Sequence, residues 1–463
     1  MDREELFERT PVSNAILKLT LPMVFGSLVS ILYNIADTYF VGQLNNAIQN
    51  AAVTFVAPAM TLFYAITNLF GVGASSIMSR ALGSKDFERV KKASATGIYM
   101  SLGFAILLAI GATVFNNGVL GILGTTEEAW EVTKAYMRWT VCFGAVPAIM
   151  NIVMGFILRA EGRSIIASVG MMSGCLINII LDPFFILPFG LNLGAEGAAL
   201  ATFISNCVGT VIFITYITIQ RNKLLVSVNP KHISFSKDVF REIIFVGFPG
   251  VVQNNLNVVS MTIMNNLMSD YSSDAVAAMG IAGKVNQLPI QVIFGFSQGV
   301  MPLIGYNYAS GNNKRMKEAI RKTLIISISV LVVITVAFIF GGEFITHIFM
   351  KDENISHIGG LFLRGFGISL MFMCIDFMAV GVSQSFGVGR YALIFSVLRK
   401  AVFEIPLMFA YNYFFKLNGI AFCQCSAEIL MSIAGFIVLR KLIKDAEKRP
   451  ADMFEHKKAK EVE

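Results

Sequence analysis

The sequence predicts an all-α membrane protein: twelve transmembrane helices in two pseudo-symmetric six-helix bundles. Three observations predict it. Of 463 residues, 55% are hydrophobic and only 14% are charged, against about 25% charged in an ordinary soluble protein. Apolar runs of about 18 residues or more, the length of a membrane helix, recur from one end of the chain to the other. The chain also repeats itself at an offset of about 227 to 228 residues.

The apolar runs place spans at 15–41, 51–79, 92–115, 133–158, 164–187, 195–219, 241–269, 275–307, 319–341, 358–386, 391–415 and 419–443. Many exceed the ~20 residues that a ~30 Å hydrocarbon core requires, so tilted or bent helices are expected. The net charge of +7 does not point to nucleic acid, because the basic residues sit in short loops between spans. The N-terminus ahead of span 1, 80–92, 159–163, 221–241, 314–322, Arg390 and the C-terminal tail over 444–463 hold 26 of them, against Lys134, Lys351 and Lys416 in the opposite loops. By the positive-inside rule this split predicts a multi-pass protein of the cytoplasmic membrane with both termini cytoplasmic. The opening MDREELFERTPVSN has no apolar core or cleavage site of a signal peptide. Six cysteines lie inside apolar segments without zinc spacing and read as small core hydrophobes. The four histidines lie at segment ends or in loops and form no metal cluster.

The repeat fixes the organisation. Arg80-Ala-Leu-Gly83-Ser-Lys85 after span 2 answers Tyr308-Ala-Ser-Gly311-Asn-Asn-Lys314 after span 8, and the same shift aligns Pro22 with Pro249, Gly71 with Gly299 and Gly162-Arg163 with Gly389-Arg390. The expected units are an N-lobe over 1–220, a cytoplasmic linker over 221–240, a C-lobe over 241–443 and a cytoplasmic tail over 444–463. Six spans is an even number, so both halves insert in the same direction. An axis along the membrane normal with a central cavity is then expected, as in secondary transporters.

Each ionisable group near a span centre costs about 2.5–3.5 kcal/mol and needs a reason. Asp37 in span 1, Asn178 and Asp182 in span 5 and Thr202 in span 6 all fall, at ~1.5 Å per residue, within roughly 15 Å of the outer boundary. Asn178 and Asp182 share a helix face, and no lysine or arginine lies inside these three spans at that depth. Unpaired carboxylates in low dielectric bind a cation or take up a proton, and oxygen ligands suit a hard monovalent ion. The alternative is that Asp182 caps a helix and Asp37 faces water. The second half differs, carrying Lys284, Asp376, Arg399, Lys400, Glu404 and Glu428. Lys400 and Glu404, at i and i+4, read as a structural pair, and Arg399 can snorkel toward the cytoplasm; the alternative for these charges is substrate contact or a second proton relay. Pro22, fifteen residues before Asp37, deletes a backbone hydrogen bond and marks either a hinge or a static kink.

The stretches LPMVFGSLVSILYNIADTYFVG, SRALGSKD, ILRAEGRS, NIILDPFFIL and FGFSQGVMPLIGYNYASGN resemble the multidrug and toxic compound extrusion (MATE) family, in its MepA/DinF-like bacterial branch, over about Leu17 to Leu442. The resemblance implies the MATE fold of the MOP superfamily, and a secondary active antiporter that exports small amphipathic organic cations in exchange for Na⁺ or H⁺ by alternating access. It assigns ion coupling to Asp37, Asn178, Asp182 and Thr202, which are metal ligands only if the ion is Na⁺. It assigns substrate binding to Ser30, Asn151, Met171 and Asn206, and the bending point to Pro22. No cofactor, no enzymatic activity and no nucleic acid are implied; the expected partners are the substrate and the lipid bilayer, and the expected state is a monomer. The other bacterial branch uses carboxylates of helices 7 and 10, but here span 7 offers Asn254, Asn255 and Asn257 without an acid. The runner-up is a lipid-linked saccharide flippase of the same superfamily, which often has fourteen spans and a basic cavity. An ATP-driven pump is disfavoured because no GxxxxGK[ST] loop is present.

Overall fold

The computed structural model of the chain describes residues 3–448, and among them it holds helices and turns but no strand. The tail expected over 444–463 lies outside the described residues from 449 onward. Among the described residues, ten helices are long and apolar enough to cross a membrane, and eleven when Trp130–Phe143 and Ala145–Ala160, bent by 44°, count as one. The last, Gly389–Glu447, has 59 residues. At ~1.5 Å per residue it would run about 90 Å, three times a ~30 Å hydrocarbon core. Lys416, at φ 54° and ψ −143°, breaks it in two. Splitting it there brings the eleven to twelve, the number the sequence predicts. In chain order the spans are α1 (Val12–Gly42), α2 (Ala47–Gly83), α3 (Phe87–Val114), α4 (the bent pair), α5 (Ser164–Ile186), α6 (Ala195–Ile219), α7 (Lys237–Ser269), α8 (Ser273–Ala309), α9 (Asn313–Phe349), α10 (Glu353–Ser385), α11 (389–415) and α12 (417–447).

Side-chain caps start several of these helices, because the first turn leaves backbone N–H groups without partners. Asn46 accepts from Ile48 and Gln49 ahead of α2, and Asp352 accepts from Ile355 ahead of α10. Asp86 accepts from the Arg89 amide at 3.0 Å ahead of α3, and Asn312 accepts from the Arg315 amide at 3.1 Å ahead of α9. The residue before each of these two caps is left-handed: Lys85 at φ 58° and Gly311 at φ 76°. The two turns therefore correspond residue for residue in cap and backbone, with Lys85 rather than Gly83 standing opposite Gly311.

By contact the chain divides into residues 25–247 and residues 1–24 with 248–463. Lobes drawn at 1–220 and 241–443 differ from this division: the first 24 residues group with the second half, and 221–247 with the first. Both chain crossings fall within three residues of a helix-interrupting proline, Pro22 in α1 and Pro249 in α7. In the unit containing 248–463, a core of Met264, Met268, Ala278, Ile293, Phe362, Leu370 and Met408 is fully enclosed, and α8 is its most buried helix. In the unit 25–247, α5 carries Ile165, Val169, Leu176 and Ile180 on an exposed face, the face a membrane helix turns to lipid. Its other side packs closely on α6: a Cβ at Gly170 would meet the Phe213 ring at 2.3 Å, and one at Gly174 the Ser205 carbonyl at 3.1 Å. Small residues bring membrane helices into such contact, and here they bring Asn178 to Thr202.

Candidate functional site

Within the unit 25–247, four side chains chosen from sequence stand together. Thr202 on α6 lies 3.2 Å from the Asn178 amide and 3.3 Å from the Tyr33 hydroxyl of α1. Asn178 is oriented so that its Nδ2 donates to Asp182 Oδ2 at 2.9 Å while its carbonyl accepts from Thr202 Oγ1; the reverse would aim an amide oxygen at a carboxylate. Asn178 and Asp182 are fully buried, at i and i+4 of α5. Asp37 lies within Coulombic reach of Asp182, and its Oδ1 is buried without a hydrogen-bond partner. Among the described residues no lysine or arginine is paired with either acid. Arg138 on α4 points outward and is exposed.

Two members of this cluster escaped the sequence reading. Tyr33 sits one turn before Asp37, an i, i+4 spacing that carries the signal. Tyr136 of α4 is buried and within Coulombic reach of both acids, but nothing in its sequence neighbourhood announces that. Both hydroxyls can donate to an ionised carboxylate or ligate a cation through oxygen. The assembled set of two carboxylates, an amide, and threonine and tyrosine hydroxyls offers hard oxygen donors and a net negative charge.

Of the residues expected on the substrate wall, Asn151 of α4 and Asn206 of α6 meet at 3.3 Å, and Asn206 also donates to the Thr202 carbonyl one turn away. Ser30 instead faces Cys175 at 3.6 Å, and Met171 takes the Arg159 guanidinium on its sulfur at 2.9 Å. Asn151 and Asn206 thus adjoin the carboxylate cluster through Thr202, Ser30 meets α5 one turn from Asn178, and Met171 stands two turns away beside Arg159.

In the other unit the buried charges are paired. Arg399 does not snorkel: it is 5% exposed, donates to Glu428 at 2.7 Å and lies 3.8 Å from Asp376. The attraction of two buried acids outweighs the pull of the interface, and neither acid was visible as a partner from spacing alone. Lys400 pairs with Glu404 at 2.6 Å, as the i, i+4 spacing predicts, and Ser260 donates to the same carboxylate at 2.6 Å. Lys284 is exposed on α8 and joins neither pair. Among the described residues no three or more His, Cys, Asp and Glu side chains gather as a metal site.

Comparison with known proteins gives a consistent picture. The MatE family model matches residues 22–184 and again 249–410, two stretches that open on Pro22 and Pro249. Multidrug export protein MepA of Staphylococcus haemolyticus (strain JCSC1435) is 36% identical over 444 residues, covering 95% of this chain and 96% of that protein. MepA of Staphylococcus aureus (strain MRSA252) is 34% identical over 435 residues, covering 94% of each. Among solved structures, a MATE protein in complex with MaD3S aligns with a TM-score of 0.90 and 25% identity over 97% of this chain and 100% of that one. A Vibrio cholerae MATE transporter, VcmN in its bent form, aligns at 0.84 with 22% identity, covering 94% of this chain and 98% of that one, a likeness of fold.

Proposed function

The chain belongs to the MatE family, and from that premise we propose that it is a multidrug efflux antiporter that exchanges small organic cations for Na⁺ or H⁺. The observation that carries the reading is the pair Asp37 and Asp182, held within Coulombic reach of each other without a basic partner among the described residues. Two negative charges in a low-dielectric interior repel each other and lose their hydration, which costs several kcal/mol per ion. A proton or a metal cation relieves that cost, and so does a cationic substrate. The three compete for the same two carboxylates.

The cycle follows from that competition. With both acids ionised, the site attracts an organic cation, with Asn151, Asn206, Ser30 and Met171 as neighbouring contacts. Arrival of Na⁺ or H⁺ at Asp37, Asn178, Asp182 and Thr202 removes the charge and releases the substrate. A change in α1 around Pro22, where the chain passes from one unit to the other, couples site occupancy to alternating access. The positive-inside distribution supports cytoplasmic termini, and the names of the MepA relatives support export. The absence of a basic partner at Asp37 and Asp182 among the described residues disfavours the saccharide flippase.

Equilibrium binding tests the competition without requiring transport. Ethidium bound to purified protein should be displaced by added Na⁺ or by acid in the wild type, and the same additions should displace little from D37N and D182N. Equal displacement in all three proteins would remove the carboxylates from the exchange.

A further inference from the structure

A polar seam runs the length of α5. Ser164, Ser168, Met171, Cys175, Asn178 and Asp182 follow one another at steps of four and three residues, which holds them on one helix face. Eighteen residues separate its ends, about 27 Å at ~1.5 Å per residue, close to the ~30 Å of a hydrocarbon core. One end is the carboxylate site. The other end is Ser164, and partway between them stands Arg159 of α4, 4% exposed, with its guanidinium on the sulfur of Met171, eleven residues before Asp182, and 5.6 Å from the Phe156 ring. Among the described residues no carboxylate pairs with Arg159. It is the last residue but one of its helix, so the negative end of the helix dipole supports the charge.

Between the two ends, buried polar atoms lack protein partners: Ser164 Oγ, Ser168 Oγ, Ser205 Oγ, Asn151 Oδ1 and Arg159 Nε. All five residues are less than a tenth exposed. Gly174 brings Asn151 and Ser205 against the seam, since a Cβ there would lie 3.8 Å from the Asn151 amide and 3.1 Å from the Ser205 carbonyl. Buried polar atoms without protein partners are satisfied by ordered water. An antiporter with a hydrated file leading from its ion site through the membrane needs something to stop the ion, or the gradient dissipates without moving substrate.

We propose that these groups form a hydrated file along α5 and that the Arg159 guanidinium is its cation barrier, a role that rests on ion coupling at Asp37 and Asp182. A fixed positive charge closes a polar path to cations while leaving it open to water. At an effective dielectric near 20, a cation about 6 Å from the guanidinium is disfavoured roughly 100-fold. Arg159 acts on ion flux through the file and touches no substrate in this role.

The test uses the full chain in proteoliposomes without any organic substrate. Valinomycin and K⁺ allow charge compensation, and entrapped dyes read the decay of imposed pH and Na⁺ gradients. R159Q and R159M should dissipate at least one gradient more than tenfold faster than wild type, R159K should stay within about twofold of wild type, and D37N/R159Q should be tighter than R159Q. Gradients as stable in R159Q as in wild type would overturn the barrier, and so would a leak in R159K equal to that in R159Q. R159Q and R159K are close to arginine in shape, so their comparison decides the matter even if R159M fails to fold. Export that survives D37N and D182N would overturn the coupling reading instead; the substrate-free leak is read independently of that result.

Discussion

The two units bury charge in opposite ways. In the unit containing 248–463, Arg399 serves Glu428 and Asp376, and Glu404 receives both Lys400 and Ser260. In the unit 25–247, Asp37 and Asp182 meet hydroxyls and an amide, and the buried cation Arg159 is kept apart from them, against Met171 of α5. Charge that needs only to be tolerated in a membrane is paired during folding. Charge left without a fixed partner stays available to a mobile one. The turns that open α3 and α9 are alike in both units, down to the cap and its arginine, so the contrast belongs to the span interiors. Arg89 holds Glu242 at 2.6 Å, where α7 begins, while Arg315 holds the Phe7 and Thr10 carbonyls ahead of α1 at 2.6 and 2.5 Å.

The sharpest way to break the comparison is to remove a cation from the paired cluster. R399M strands two buried carboxylates, and breaking a buried pair from one side costs about 3–5 kcal/mol. A large fall in thermal stability or in monodisperse yield is expected, largely restored in D376N/R399M/E428Q. D182N should cost far less, within about 1 kcal/mol, because it deletes repulsion along with hydrogen bonding. Equal losses in R399M and D182N, measured by thermal unfolding in detergent, would erase the distinction between the units. The smallest effect is expected at the turn. Glu242 bridges Arg80 at 2.5 Å and Arg89 at 2.6 Å, but all three side chains are partly exposed. Pairs of that kind contribute about 0–1 kcal/mol. E242Q should shift the melting temperature only slightly, and a loss comparable to that of R399M would mean that the turn carries more of the fold than its exposure suggests.

Much of this was legible in the residues. Hydropathy and the alternation of basic loops give the spans, since lipid imposes both. Asn178, Asp182, Asp37 and Thr202 could be brought together from depth and helix spacing alone, because four residues along one helix and a shared distance from the boundary are nearly a coordinate system. Partners from distant helices were not legible. Glu428 lies 29 residues from Arg399, and no periodicity links them, so the sequence alone sends Arg399 to the interface. Tyr136 is in the same position. The repeat was read from glycines, but the turn before α3 places Lys85 in the left-handed conformation that Gly311 adopts before α9. Matching glycine to glycine therefore slips locally. The contact boundaries at Pro22 and Pro249 depend on which helices the first residues of α1 and α7 touch, which local sequence does not encode.

The central claim is that Asp37 and Asp182 are the charge for which ion and substrate compete. The most direct measurement is ethidium efflux from proteoliposomes under a pH gradient alone and then a Na⁺ gradient alone, for wild type, D37N and D182N. The account expects wild-type efflux under at least one gradient and at least a tenfold loss in both variants, with folding intact. Wild-type efflux by D37N and D182N would contradict it.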